Sequence, residues 1–212
     1  MWDFLQAERR LAHFTDAIGL SRYALYMQDF GGPVGFRLAA RHPEKVSALI
    51  VQNANAYDDG VTQGLKDVVL RAYTDHGEEA SAQLRTLFEL PVTKRQYLEG
   101  EPDPSLVSPD AWNHAQWGMD RPGNKDIQFA LHANYGSNPE RYDEWHDYFR
   151  RFLPPTLVVW GKGDFVFAPE GAQAYRKDIP QAEIHMIDAG HFALETHARE
   201  IADYIRGFLA KL

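Results

Sequence analysis

The chain has 212 residues, 44% hydrophobic, 25% charged and 13% aromatic, with a formal net charge of −8 and no cysteine. That length fits one domain with a sizeable core and room for an insertion, and the wealth of apolar and aromatic side chains excludes a disordered chain. The missing cysteines exclude disulfides, thiolate metal sites and a cysteine nucleophile, and the acidic balance argues against a nucleic-acid partner, whose phosphates call for clustered Lys and Arg.

No apolar run approaches the ~20 residues of a membrane-spanning helix. The opening Met1-Trp2-Asp3-Phe4-Leu5-Gln6-Ala7-Glu8 lacks the basic and apolar regions of a signal peptide. The expectation is a cytoplasmic globular protein without membrane or nucleic-acid partners.

In chain order, Phe4, Leu5, Leu11, Phe14 and Ile18 recur near helical spacing and predict a helix over 2–19, stopped by Gly19. Tyr23-Ala24-Leu25-Tyr26-Met27 is continuously apolar, the pattern of a strand buried on both faces of a parallel sheet. Phe30-Gly31-Gly32-Pro33 turns into a helix that runs to about Arg41, with Pro33 suited to its first turn. Ala48 to Val51 is a second buried strand. Residues 54–153 differ in character: two or more amphipathic helices, one of them around Asp67 to Leu90, alternate with proline-bearing loops. They also hold Trp112, Trp117 and Trp145. So long a connection between strands predicts an inserted helical lid rather than a loop. Thr156 to Trp160 is a third strand, Pro169 to Ile179 a helix, Glu183 to Ile187 a fourth strand and Leu194 to Leu212 a closing helix. Strands alternating with helices predict a parallel sheet whose chemistry lies at the strands' carboxyl ends.

Three residues stand at such ends. Asp29 follows the first strand, Asp164 the third and His191 the fourth. A strand entering a glycine turn and then a helix lifts one side chain into a site and aims the next backbone N–H at developing negative charge. Each residue taken singly has a plainer explanation, since an aspartate after a strand often caps a helix and one before Phe165 often closes a turn. Acid, acid and histidine in that order favour a joint role. His185 and Asp188 have no partner at metal-ligand spacing, so neither a metal nor a cofactor is expected.

These segments resemble those of the α/β-hydrolase fold, and within it the haloalkane dehalogenase and epoxide hydrolase branch. Gln28-Asp29-Phe30-Gly31-Gly32 is similar to that branch's Q/H-D-W-G-G elbow; Trp160-Gly161-Lys162-Gly163-Asp164 and Gly190-His191-Phe192 resemble the segments carrying its acid and base. The resemblance implies Asp29 as nucleophile, Asp164 as the acid orienting His191, His191 as base, and the Phe30 backbone N–H as a donor to the oxyanion or leaving group. A carboxylate nucleophile suits attack at an sp³ carbon, giving an alkyl-enzyme ester that a histidine-activated water hydrolyses. Small apolar halides, epoxides or activated esters are the implied substrates. The branch's tryptophan after the nucleophile is Phe30 here, which lacks an indole N–H. Tyr73, Tyr97, Tyr135, Tyr142 and Tyr148 are all lid tyrosines able in principle to protonate an opening epoxide. Asp58 and Asp59 are weaker alternatives to Asp164.

The family sheet has eight strands, of which the sequence supplies the last four. The expected fold is therefore a truncated α/β-hydrolase, a mostly parallel sheet of about four strands, with core residues 1–55 and 154–212 and a lid over 56–153. The family's H-G-x-P loop has no counterpart; the only His-Gly pair, His76-Gly77, falls in the lid. Two expectations follow: a homodimer formed through the exposed strand near Tyr23 to Met27 or through the N-terminal helix, and, as the alternative to an enzyme, a weak or inactive hydrolase serving as a binding or assembly module.

Overall fold

A computed structural model describes residues 2–212. Four parallel strands, β1 (Tyr23–Gln28), β2 (Val46–Gln52), β3 (Thr156–Gly161) and β4 (Glu183–Ile187), lie in the order β1-β2-β3-β4. Parallel pairing requires a crossover between successive strands. The helix α2 (Gly31–Arg41) supplies it between β1 and β2, a long helical insertion between β2 and β3, and α10 (Glu170–Ala174) between β3 and β4. An N-terminal helix, α1 (Phe4–Ala17), packs on α2, and α11 (Leu194–Leu209) closes the chain.

The two central strands carry the core. Along β2, Leu49 and Val51 join one buried cluster while Ala48 and Ile50 join the other; along β3, Val158 and Trp160 alternate in the same way with Leu157 and Val159. Side chains alternate between faces and helices cover both, so a continuous apolar run is what burial on two sides demands. Ile201 and Phe208 of α11 complete the smaller cluster, and Phe36 of α2 joins the larger.

β1 departs from the expected double burial. Met27 is buried, but Tyr26 is 45% exposed and Tyr23, Ala24 and Leu25 are only half-buried. The cause is position: β1 is an edge strand of the described sheet, so its outer side meets no neighbour. Asp3 caps α1 by accepting from the Gln6 N–H at 2.7 Å, and Gly19, the stop expected from the sequence, takes φ 73° just past its end.

The insertion contains α3 (Gln63–Leu65), α4 (Arg71–Thr74), α5 (Glu78–Arg85), α6 (Leu90–Leu98), α7 (Pro109–Met119), α8 (Asn124–Ala133) and α9 (Tyr142–Phe152). The single helix expected around Asp67 to Leu90 is broken into pieces. Asp75 accepts the Gly77 N–H through its side chain at 2.9 Å, a local bond that competes with helix continuation, and Pro91 restarts the chain as α6. Trp145 is fully buried against Phe36 of α2, with ring centroids 5.3 Å apart, whereas Trp117 is exposed.

Candidate active site

At the end of β1 the backbone turns sharply. Asp29 has φ 47°, a left-handed conformation unfavourable for any residue with a Cβ, and α2 begins two residues later. The turn is pinned on both sides: the Asp29 N–H donates to Asn53 O at 3.2 Å, and the Gly32 N–H donates to Asp29 O at 2.9 Å. Glycine lets α2 lie this close to the sheet, since a Cβ on Gly35 would sit 2.0 Å from Met27 Sδ. The carboxylate of Asp29 does not cap the helix; the N-cap is Phe30, with no side-chain bond to the first turn. Thus the plainer explanation of Asp29 fails. Its side chain is 34% exposed, and Phe30 follows it as the N-cap of α2.

The loops after β3 and β4 bring the other two residues to the same place. His191 Nδ1 lies 3.0 Å from Asp164 Oδ2, and His191 Nε2 lies 3.9 Å from Asp29 Oδ1. Because Asp164 accepts at Nδ1, that nitrogen carries the proton and the neutral ring turns its lone pair toward Asp29. Asp164 also closes a turn, its Oδ1 accepting from the N–H groups of Val166 at 2.8 Å and Phe167 at 3.1 Å. One oxygen therefore shapes the loop while the other holds the histidine.

Burial alone pushes the His191 imidazole toward neutrality. The charge and hydrogen bond of Asp164, with the charge of Asp29, outweigh it and raise the group above the ordinary histidine value. Asp58 and Asp59 do not approach His191: both are exposed, and Asp59 pairs with Lys177 at 2.7 Å.

Three contributors escaped the sequence reading. Asn53, fully buried after β2 with φ 42°, donates its side-chain amide to Asp164 Oδ2 at 2.7 Å. Gln28 donates to the His191 carbonyl at 3.3 Å, tying β1 to the histidine loop. On α8, His132 packs edge-on against Phe30 with centroids 4.7 Å apart. Burial holds His132 below the ordinary histidine value although Asp29 opposes this, and its Nδ1 meets Gln128 O at 2.9 Å. Gln28 stands in the elbow motif without a role assigned to it, and no spacing rule marks Asn53 or His132, because a polar residue after a strand or on a helix is ordinary in sequence.

The structure also separates the five lid tyrosines named from the sequence. Tyr73 bonds Glu140 at the surface, Tyr142 packs on Trp145 and bonds Asn55, Tyr148 packs on Phe149, and Tyr97 stacks on Phe192 at 4.4 Å. Tyr135 alone of the five stands against the elbow, its ring 5.9 Å from Phe30 and 6.5 Å from Phe167, which in turn lies 5.7 Å from His191. Its hydroxyl is buried without a hydrogen-bond partner among the described residues. Burial, then the neighbouring Tyr142 and Asp29, raise it well above the usual phenol range. Among the described residues, no three His, Asp or Glu side chains cluster so as to hold a metal, and no helix is long and apolar enough to cross a membrane.

A parallel sheet with a sharp strand-to-helix turn and an acid-held histidine at its carboxyl edge defines the α/β-hydrolase architecture. The sequence pattern of the alpha/beta hydrolase fold matches residues 2–198, and the chain belongs to that family. It is 32% identical over 204 residues to an uncharacterized hydrolase of Saccharomyces cerevisiae, covering 95% of this chain and 70% of that protein. It is 24% identical to mouse epoxide hydrolase 3, covering 92% of this chain and 54% of that one. The crystal structure of a meta-cleavage product hydrolase from Pseudomonas fluorescens superposes with a TM-score of 0.71 at 17% identity, over 100% of this chain and 73% of that one. The chain thus spans 54–70% of the length of the curated relatives it matches.

Proposed function

We propose that this chain carries the site of a hydrolase acting through a carboxylate nucleophile on small apolar epoxides, halides or activated esters. The observation that carries the reading is Asp29 in left-handed backbone at the elbow, 3.9 Å from the Nε2 of an acid-held histidine. A carboxylate attacking an ordinary acyl ester would form an anhydride, so the residue type itself favours displacement at an sp³ carbon. In this reading residues 56–153 act as a lid over a core of 1–55 and 154–212, because His132 and Tyr135 of that segment stand over Phe30.

In the first step an Asp29 oxygen forms a bond to carbon as the carbon–halogen or carbon–oxygen bond breaks. A halide departs as the anion. An epoxide oxygen takes the Tyr135 proton; the buried Tyr135 hydroxyl, without a partner among the described residues, supports epoxides as the preferred class. In the second step His191 Nε2 removes a proton from water, and the hydroxide adds to the ester carbonyl while the Phe30 N–H stabilises the oxyanion. Collapse expels the alkoxide, which takes the proton from His191, and the proton shed by the re-formed Asp29 acid restores Tyr135. Alkylation neutralises Asp29 and so removes one of the charges that hold a proton on His191. The base is thereby freed when it is needed.

A His191→Ala variant should accumulate a substrate adduct on Asp29, read by peptide mass spectrometry. An unmodified Asp29 during substrate consumption would sink the mechanism. An assembly role draws support from a separate observation: β1 has an open edge, with Tyr26 exposed and with Phe14 and Ile18 of the adjacent N-terminal segment each 55% exposed. We infer self-association through this edge or the N-terminal helix. Light scattering at micromolar concentration should give twice the chain mass, and a monodisperse monomer would refute it.

A further inference from the structure

Glu101 lies in the loop after α6, in the helical insertion, yet its carboxylate is spent on the histidine loop of the sheet. It is buried, at 8% exposure, and both oxygens are occupied. Oε1 accepts the backbone N–H of Gly190 at 2.8 Å, and Oε2 accepts the Thr196 hydroxyl at 2.8 Å. Thr196 Oγ1 also lies 2.7 Å from His197 Nδ1, so a hydroxyl that donates to Glu101 accepts from that ring.

The backbone around Glu101 leaves no slack. A Cβ on Gly100, which has φ +83°, would sit 2.0 Å from Gly163 O; one on Gly163 would sit 2.3 Å from Gly100 O; one on Gly190 would sit 2.3 Å from Glu99 O. Residues 99–101 are therefore wedged between the loop that carries Asp164 and the loop that carries His191. His191 is then held from three directions. Asp164 grips its ring, Gln28 grips its carbonyl, and Glu101 grips the N–H of the residue before it. Glu101 is the only one of the three drawn from the insertion.

We propose that Glu101 is a positioning residue for His191, through which the insertion sets the geometry of the water-activating step. The inference rests on the proposed hydrolase reading. It makes a distinction that a merely structural role does not. His191 takes no part in carbon–oxygen bond formation by Asp29; it serves only the hydrolysis of the resulting ester. Loss of Glu101 therefore slows the second half-reaction and spares the first.

The test uses the full chain and a chromogenic epoxide, with Glu101→Ala, Glu101→Gln, Thr196→Val and His191→Ala in parallel. For Glu101→Ala, kcat and KM are expected to fall together by roughly tenfold to a hundredfold, the scale on which small misplacements of a catalytic group act. kcat/KM stays unchanged, and the Asp29 adduct accumulates. Glu101→Gln keeps an acceptor for the Gly190 N–H and restores most of the hydrolysis rate. Thr196→Val removes one donor and gives a smaller shift of the same kind, which keeps the test decisive if Glu101→Ala folds poorly. Wild-type turnover in Glu101→Ala, or a loss of kcat/KM without adduct in both Glu101→Ala and Thr196→Val, overturns the proposal. If His191→Ala itself traps nothing on Asp29, the hydrolase reading fails instead.

Discussion

The strand ends and the helical insertion meet at one site but are built on different terms. Asp29, Asp164 and His191 sit on short loops directly after parallel strands, each fixed by bonds to the neighbouring strand end: Asp29 to Asn53, Asp164 to Asn53, His191 to Gln28. The insertion offers His132 and Tyr135 from short helices and turns, held largely by aromatic packing against Phe30. The first region places charge to within a hydrogen bond. The second supplies a wall, one phenol and, through Glu101, one clamp. In the proposed mechanism bond making belongs to the sheet, and leaving-group and substrate selection belong to the insertion.

That division can be broken by substitution. The largest effect expected is from Asp29→Ala, which removes the proposed nucleophile and should lower turnover on every substrate by on the order of 10⁴-fold. Tyr135→Phe should cost about 10²- to 10³-fold on epoxides, the scale of one lost donor to a developing oxyanion. It should barely alter halide substrates, whose leaving group needs no proton. Equal losses on both classes would erase the distinction between the regions.

Asn53→Ala removes one hydrogen bond from a buried carboxylate. It should cost about 1–3 kcal/mol of stability in denaturant melts and roughly tenfold in turnover. The smallest effect is a displacement along the pH axis. In the free chain the charges of Asp164 and Asp29 favour the protonated ring of His191, so its titration followed by NMR should show a midpoint above the ordinary histidine value of about 6.5. A midpoint below that value would show that burial outweighs the two carboxylates.

The same two regions differ in how far they could be read from sequence. The strands β2 and β3 announce themselves because burial on both faces keeps residues 48–51 and 157–160 continuously apolar. The residues after β1, β3 and β4 stand out for the same reason. β1 looks identical in composition, yet its edge position leaves Tyr26 exposed, a property of neighbours rather than of the run itself. Within the insertion the helical phase around Asp67 to Leu90 is broken by the Asp75 side chain and Pro91, local competitors that outweigh amphipathic spacing. The lid tyrosines are equivalent in sequence; only folding puts Tyr135 against Phe30 and Tyr73 at the surface. Asn53 was invisible because its role depends on Asp164, which lies 111 residues away.

The central claim is that Asp29 becomes covalently bound and that water attacks its carbonyl carbon. A single turnover in water enriched in heavy oxygen, with enzyme in excess over a small epoxide, measures this directly. The account predicts the label in the peptide containing Asp29 and none in the first-turnover product. Label appearing in the product of the first turnover, with the Asp29 peptide unlabelled, would mean that water attacks the substrate itself and would contradict it.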